Sequence, residues 1–206
     1  MAAQRPVVFA ITGASGAPYA VRLLEQLVAA RRPVQLIVSS HGERLIRTET
    51  EFADSSALRA HIGAKAWDRY VTRYDDTDRG AAPASGSALN AGMVICPCSM
   101  GTLSAVSVGA SRSLVERAAD VALKERRPLV LVTRETPLSA IHLENMLRLT
   151  RAGAVVMPAA PGFYHRPREI GDLVDFVVAR VLDHLQVPHG LVKRWQGEAP
   201  GKGPRR

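Results

Sequence analysis

The feature that most constrains this chain is an apolar run near its start that leads into a turn of small residues. Val7–Ile11 is apolar, Thr12–Gly16 is small, and after Pro18 apolar side chains recur at helical spacing. This order predicts a buried strand, a tight turn and a helix. A helix N-terminus offers free N–H groups and a positive dipole end, so the turn suits a phosphate. An ordinary strand-to-helix turn without a ligand is the alternative.

The turn matches neither of two widespread phosphate-binding motifs. It contains neither the dinucleotide fingerprint G-x-G-x-x-G nor the P-loop pattern G-x-x-x-x-G-K-[ST]. Gly13 and Gly16 would still let the backbone approach a phosphate closely. The sequence therefore predicts a phosphate site of a different type.

Length and composition favour one globular domain. At 206 residues, 47% of them hydrophobic and 22% charged, the chain fits a single α/β domain over residues 1–196. The net charge is +8, and part of the excess lies in residues 197–206, which are rich in Gly and Pro and predict a disordered basic tail. Aromatic residues make up 5%, which argues against nucleic acid as the partner.

Two further features bear on the compartment. No apolar run reaches the roughly 20 residues of a membrane span, and no signal peptide precedes the first strand, so we expect no membrane association. The two cysteines, Cys96 and Cys98, are too few for a disulfide framework and fit a reducing, cytoplasmic environment.

Strand and helix patterns alternate along the chain. Short β-branched runs predict strands at Val7–Ile11, Val34–Ser39, Met93–Cys98, Leu129–Thr133 and Ala154–Met157. Periodic apolar positions predict helices at Pro18–Ala30, Gly42–Thr48, Ser113–Arg126, Ser139–Arg151 and Glu169–Leu185. The last shows one broad apolar stripe, whereas residues 51–92 show little pattern. The alternation predicts a mainly parallel sheet covered by helices on both faces.

Polar side chains follow each predicted strand. In such sheets ligands bind beyond the carboxyl ends of the strands. Those positions hold Ser15, Ser39, Ser99 to Thr102, Arg134 with Glu135, and residues 161–165. A serine after a strand is also a common helix N-cap. It is the convergence of hydroxyls, an arginine and a carboxylate that predicts a binding site.

Several short motifs together resemble the flavin prenyltransferases of the UbiX type. The resemblance runs in order from about Val7 to Trp195 and is highly specific when the motifs are taken together. The motifs are Ile11–Ala17, Thr48–Thr50, Pro83–Ser87, Cys96–Ser99, Thr102–Ser104, Glu116–Asp120, Leu123–Pro128, Arg134–Pro137 and Pro161–Pro167.

The resemblance implies a flavodoxin-like or Rossmann-like three-layer subunit in a homo-oligomer, a dodecamer. It implies metal-independent transfer of a dimethylallyl group from dimethylallyl monophosphate to N5 and C6 of reduced FMN. The product, prenylated FMN, would serve UbiD-type decarboxylases. The sequence leaves open the pathway served and the choice between a monophosphate and a diphosphate donor.

The resemblance also implies roles for particular residues. The prenyl phosphate would be held by Ser15, Arg117, Lys124, Tyr164 and Arg180, some of them reaching a neighbouring subunit's site. Without the resemblance, Arg117 and Lys124 are ordinary charges on a helix surface. Trp195 would offer a π face to an allylic cation, or else serve as a packing anchor.

Glu49 and Glu135 would form the acid/base pair, with Ser15 beside them among the catalytic residues. We expect carboxylates enclosed in an apolar site to have a raised pKa suited to proton transfer. The alternative for Glu49 is a surface helix residue. The flavin would be bound by Gly13, Ala14, Ser15, Ser39, Ser99, Met100, Gly101, Thr102 and Arg134.

Two other functions fit the same fold. A flavin-dependent cysteine decarboxylase would carry an early catalytic His and a P-x-M-N-x-x-M-W motif, whereas this chain has Pro97–Thr102 without that pattern. A flavin carrier protein would not need Arg117, Lys124 and Arg180 beside a second phosphate. A prenyl-transfer assay with reduced FMN separates the three.

Overall fold

A computed structural model describes residues 4–192 of the chain. The strands in this part are Val7–Ile11 (β1), Val34–Val38 (β2), Val71–Tyr74 (β3), Met93–Cys98 (β4), Leu129–Thr133 (β5) and Val155–Pro158 (β6). The α-helices are Ala17–Ala29 (α1), Ser40–Glu49 (α2), Leu58–Ile62 (α3), Ala64–Tyr70 (α4), Met100–Ser107 (α5), Leu114–Lys124 (α6), Ala140–Arg151 (α7) and Ile170–His184 (α8). A 3₁₀ turn covers Ala82–Ala84.

The strands form one parallel sheet in the order β3-β2-β1-β4-β5-β6. This confirms the predicted three-layer α/β fold, and the order is the one typical of the Rossmann type. The direction of winding reverses between β1 and β4, so the chain leaves these two strands toward opposite faces. The loops beyond their carboxyl ends therefore diverge and open a crevice.

The sheet is buried on both faces, which explains why its central strands are apolar without alternation. All residues of β1, β4 and β5 are buried. One face packs against α1 and α8 and the other against α5, α6 and α7, giving two separate apolar clusters. The edge strands β3 and β6 are partly exposed, so they show the weakest sequence signal.

Several element boundaries differ from the prediction. β2 ends at Val38, because Ser39 accepts a hydrogen bond from the amide of Gly42 and caps α2. The prediction missed α5, which is apolar on most sides because it is enclosed between neighbours. It also missed α3, α4 and β3 in residues 51–92, where short elements alternate with exposed polar positions.

The predicted apolar stripe on the last helix is only partly buried. Val177, Val178, Val181 and Leu182 of α8 lie in the core. Ile170, in the first turn, is 77% exposed. The sequence period marks the stripe correctly, but the buried residues of α8 begin only at Val177.

Two sequence predictions concern regions outside the described part. Trp195 and the basic tail at 197–206 lie beyond residue 192. Within residues 4–192, no helix has the length and apolar character needed to cross a bilayer. Cys96 and Cys98 are free and buried in β4, where burial raises the pKa of the Cys98 thiol to about 12.

Candidate active site

The β1–α1 turn is held by a carboxylate from a distant part of the chain. One oxygen of Glu49, at the end of α2, accepts hydrogen bonds from the amides of Gly16 (2.7 Å) and Ala17 (2.8 Å). Gly16 has a φ of 130°, a conformation that favours glycine. The N-terminus of α1, predicted to suit a phosphate, thus receives the negative charge of Glu49.

The environment of Glu49 corrects one expectation. Burial raises the pKa of its carboxyl. The amides of Gly16 and Ala17 and the hydroxyl of Ser15 donate hydrogen bonds that lower this pKa, and together they outweigh the effect of burial. The nearby charge of Arg134 lowers the pKa as well. The net result is a pKa below the ordinary value, so the predicted raised pKa of Glu49 is wrong. Glu49 is an ionised carboxylate that can accept a proton or orient a donor.

A threonine joins the two strands on either side of the crevice. The hydroxyl of Thr12, directly after β1, donates to the carbonyl of Pro97 at 2.9 Å and accepts from the amide of Ser99 at 2.9 Å. Thr12 is buried. This pair of bonds fixes the loop after β1 against the loop after β4, so the predicted binding segments keep a constant separation.

Helix N-termini converge on the crevice. Ser39, Ser99 and Ser113 cap α2, α5 and α6 by accepting amide hydrogen bonds from Gly42, Thr102 and Glu116 in turn. A capping hydroxyl that accepts can also donate its own proton, and at Ser99 a second hydroxyl, that of Thr102, lies 3.0 Å away. The capping explanation and the binding explanation for these serines are therefore compatible.

These N-termini border a cleft of about 370 Å³, a size that suits a small-molecule ligand. Its lining residues are Thr12, Gly13, Ser39, Ser40, His41, Asp76, Ser99, Thr102, Ser113, Val115 and Glu116. A Cβ added at Gly13 would come within 2.6 Å of the His41 Cβ, so only glycine allows this close approach of the turn to α2. The predicted flavin residues Gly13, Ser39, Ser99 and Thr102 share this one cleft.

The chemistry of the cleft fits a flavin mononucleotide. Hydroxyl donors and converging helix N-termini suit one phosphate and a polar ribityl chain. The α1 N-terminus, where a dinucleotide pyrophosphate would lie in a Rossmann fold, is already hydrogen-bonded to Glu49. Of the other predicted flavin residues, Ala14 and Met100 are buried, whereas Gly101 and Arg134 are exposed.

Arg134 and Glu135 follow β5 at the same edge of the sheet. Parallel pairing aligns Thr133 with Cys98 of β4, so these residues lie beside the segment that opens α5. Arg134 is exposed and Glu135 is half-buried, with its carboxylate accepting from the amide of Thr136 at 3.1 Å. Within residues 4–192, no hydrogen bond joins Glu135 to Arg134 or to Glu49.

The predicted phosphate ligands Arg117 and Lys124 lie on α6. Arg117 pairs with Asp120 at 2.8 Å and donates to the carbonyl of Ala84 at 3.3 Å. Lys124 pairs with Glu125, and its Nζ lies 2.8 Å from where a Cβ on Gly86 would be. Because α6 runs antiparallel to the strands, Lys124 lies near the amino end of β5, whereas Arg134 follows the carboxyl end of the same strand.

Tyr164 and Arg180 occupy a third region. Arg180, on α8, lines a cleft of about 230 Å³ between α8 and β6, together with Phe176. Tyr164 is 67% exposed and its ring contacts that of Phe176 edge-on, with centroids 5.7 Å apart. One subunit therefore brings together Ser15, Glu49 and Arg134, but it does not bring Lys124 or Arg180 into the same cleft.

Three residues that line the cleft, Asp76, Ser113 and Glu116, are not among the site residues predicted from the sequence. Asp76 accepts from the amide of Val115 at 2.9 Å and so supports the α6 N-terminus at the crevice. It follows β3, and recognition of that strand would have placed it at the carboxyl edge. Ser113 and Glu116 carry the S-x-x-E spacing of a capping box, so the pattern was available.

Comparison with known proteins agrees with this geometry. A family model described as Flavoprotein matches residues 1–182. The flavin prenyltransferase UbiX of Pseudomonas aeruginosa is 52% identical over 202 residues, covering 95% of this chain and 96% of the relative. The match includes both the crevice and the α6 and α8 regions.

Two solved structures share the fold closely. A crystal structure of AnUbiX (PadA1) in complex with FMN and dimethylallyl pyrophosphate has a TM-score of 0.87 and 43% identity, covering 96% of this chain and 100% of that one. A dodecameric FMN-dependent UbiX-like decarboxylase from Escherichia coli O157:H7 has a TM-score of 0.85 and 41% identity, covering 93% of this chain and 100% of that one. With this fold, this crevice and these identities, the chain belongs to the UbiX family of flavin prenyltransferases.

Proposed function

We propose that this protein transfers a dimethylallyl group from dimethylallyl phosphate to reduced FMN, forming bonds at N5 and C6. The observation that carries the proposal is the cluster of Ser15, Glu49 and Arg134 beside a cleft of about 370 Å³ that is lined by several hydroxyl side chains. A relative of 43% identity was solved in complex with FMN and dimethylallyl pyrophosphate, a flavin together with a dimethylallyl donor, which supports this proposal.

The flavin supplies the nucleophilic atoms N5 and C6, and the prenyl donor supplies an electrophilic carbon and a leaving phosphate. The protein must hold both substrates, neutralise the phosphate as the C–O bond breaks, and move protons. The proton lost from N5 leaves with the phosphate. Closing the ring then requires a proton to be delivered to the prenyl alkene and another to be removed from C6.

The described residues divide these tasks. Ser39, Ser99, Met100, Gly101 and Thr102 would hold the flavin, together with the turn Gly13–Ser15. Arg134 would hold the flavin's polar edge, and its charge adds a minor contribution to the lowered pKa of Glu49, which the amides of Gly16 and Ala17 mainly cause. Glu135, half-buried at the same edge, would carry protons to and from the reacting atoms.

The phosphate of the donor would be bound by Ser15, Arg117, Lys124, Tyr164 and Arg180. We also propose that Trp195, which lies outside the described residues, supplies a π face for the allylic cation. The phosphate-binding cations are spread over different faces of one subunit. We therefore propose a homo-oligomer, specifically a dodecamer, in which α6 or α8 of one copy completes the site of another. The dodecameric relative of 41% identity supports this assembly.

We propose that the product passes to a UbiD-type decarboxylase. We also place the enzyme in the cytoplasm, which the two free, buried cysteines support. Coexpression with an inactive UbiD-type decarboxylase in a host lacking its own flavin prenyltransferase tests the first statement. Restored decarboxylation supports it, and continued inactivity beside confirmed prenylated FMN argues against it.

The central experiment is anaerobic incubation of the protein with reduced FMN and either dimethylallyl monophosphate or the diphosphate. Mass spectrometry of the extracted flavin should show the gain of one prenyl group. An unchanged flavin mass with both donors, although FMN is bound, would overturn the proposal. Comparison of the two donors also settles which phosphate the site accepts.

A further inference from the structure

Arg180 is held by a carboxylate that is itself held by a buried histidine. The Nη1 group of Arg180 donates to Oδ2 of Asp183 at 2.8 Å, one helical turn further along α8. The other oxygen, Oδ1, lies 3.2 Å from Nε2 of His189. Asp183 thus bridges an exposed cation on the helix and a side chain in the segment after it.

The three side chains become more buried from Arg180 through Asp183 to His189. The Arg180 side chain is 52% exposed, Asp183 is 22% exposed and His189 is 3% exposed. An isolated ion pair on a helix surface contributes little to folding stability, and it restricts the orientation of the arginine only weakly. Here the carboxylate cannot rotate freely, because its second oxygen is fixed from the protein interior.

The position of His189 is set by the end of α8. The chain turns at Gln186, which has a φ of 53°, and the amide of Val187 donates to the carbonyl of Leu182 at 2.9 Å. Val187 is buried in the core, and Leu191 packs against the same cluster. His189 is anchored on both sides, so it provides a rigid support for Asp183.

Within residues 4–192, the ring of His189 forms a hydrogen bond through Nε2 alone. Its Nδ1 is buried without a partner among residues 4–192. In the tautomer that donates from Nε2 to Asp183, Nδ1 is an acceptor, so no buried N–H of the ring is left unsatisfied. The guanidinium of Arg180 has five N–H donors, so binding through Nη1 leaves others for an anion.

We propose that Asp183 is a positioning residue that orients Arg180 for the prenyl phosphate, with His189 holding Asp183 in place. This inference rests on the proposed function, because it assumes that Arg180 binds the donor. The bidentate or forked contact of an arginine with a phosphate depends on the plane of the guanidinium. Fixing that plane before binding lowers the entropy lost when the donor binds.

The test is a double-mutant cycle with Arg180→Ala and Asp183→Asn. Binding of dimethylallyl phosphate to FMN-loaded protein is measured by calorimetry, together with kcat and KM. We expect Asp183→Asn to raise the KM for dimethylallyl phosphate about fivefold or more while kcat stays nearly constant. In the Arg180→Ala background, the same substitution should raise that KM by less than about twofold. FMN affinity should not change in either variant.

The helix supplies a matched control. Asp175, also on α8, binds Arg22 through contacts of 2.6 and 3.1 Å but lies outside the proposed site. Asp175→Asn should lower Tm without changing the KM for the donor. His189→Leu should raise the KM for the donor, as Asp183→Asn does. His189→Gln keeps a hydrogen-bond donor near the position of Nε2, so its KM should stay close to the wild-type value.

Specific outcomes overturn the inference. An unchanged KM in Asp183→Asn, beside a raised KM in Arg180→Ala, shows that Arg180 needs no positioning. A full effect of Asp183→Asn in the Arg180→Ala background shows that Asp183 acts elsewhere. No effect of Arg180→Ala on donor binding removes Arg180 from the site and the inference with it. Prenyl transfer by the wild-type protein is measured separately, so failure of the proposed function is recognised independently.

Discussion

Oε2 of Glu49 accepts a hydrogen bond from the backbone N–H of Gly16, with 2.7 Å between the two heavy atoms, although the residues are 33 positions apart in the chain. The same oxygen accepts the amide of Ala17, so the end of α2 caps the start of α1. A carboxylate at a helix N-terminus is favourable because it meets unpaired N–H groups and the positive end of the helix dipole. This contact links the stability of the turn to the ionisation of one acidic group.

The first prediction concerns stability and pH. The pKa of Glu49 in the folded protein lies below its ordinary value of 4.5. Its stabilising contribution is therefore fully present above about pH 4.5 and is lost as the pH falls through the lower, folded-state pKa. Glu49→Gln should lower stability at pH 7 by about 1 kcal/mol, the usual scale of a lost helix cap.

Thermal unfolding at a fixed protein concentration, without FMN, measures this effect. The difference in Tm between the wild-type and Glu49→Gln proteins should shrink as the pH is lowered below 4.5. Glu51→Gln, an exposed neighbour, is the control and should have little effect. A difference that is constant with pH would contradict the assigned ionisation.

The second prediction is that the protein binds FMN more tightly than FAD. The α1 N-terminus, which would receive a dinucleotide pyrophosphate, is hydrogen-bonded to the anionic Glu49. A second phosphate there would meet a like charge. Calorimetric titration should give an FAD dissociation constant at least about tenfold higher, equivalent to about 1.4 kcal/mol. Equal or tighter binding of FAD would disprove this arrangement.

The third prediction is that Lys124→Ala weakens binding of the prenyl donor far more than binding of FMN. Lys124 is an exposed cation paired only with Glu125 among the residues described, so it can turn toward a phosphate of another subunit. Lys65→Ala, an identical change at an exposed site on α4, controls for net charge. Equal losses of affinity for both ligands would assign Lys124 to the flavin or to structure.

Mixed assemblies extend this test to the subunit arrangement. Coexpression of Lys124→Ala with Ser15→Ala should restore activity, because some sites then combine an intact Ser15 with an intact Lys124 from a neighbour. Each variant alone should be impaired. Failure of the mixed protein to exceed either variant would show that both residues serve the site of their own chain.

The fourth prediction is that Glu135→Gln folds and binds FMN but slows product formation by roughly 100-fold, the scale of a lost proton-transfer group. Glutamine keeps the size and the acceptor for the Thr136 amide but cannot carry a proton. Single-turnover kinetics with reduced FMN and dimethylallyl phosphate, followed by absorbance and mass, measures this rate. Unchanged formation of both the N5 and C6 bonds would remove Glu135 from the mechanism.

The sequence was sufficient for features that depend on neighbouring residues. The apolar runs at Val7–Ile11 and Leu129–Thr133 predicted their strands to the residue, because a strand buried on both faces needs a continuous apolar segment. The capping role considered for serines that follow strands is confirmed for Ser39 and Ser99, which cap α2 and α5. The prediction of a crevice followed from the rule that parallel strands share one carboxyl edge.

Only the tertiary structure decided how distant residues meet. The capping of α1 by Glu49, the bridge from Thr12 to Ser99 and the support of α6 by Asp76 join segments 33, 87 and 39 residues apart. No local pattern encodes such contacts, because they depend on strand register and helix packing. The lowered pKa of Glu49 has the same origin: sequence predicts an acidic residue near a crevice, but burial and hydrogen bonding, set by the fold, determine its charge.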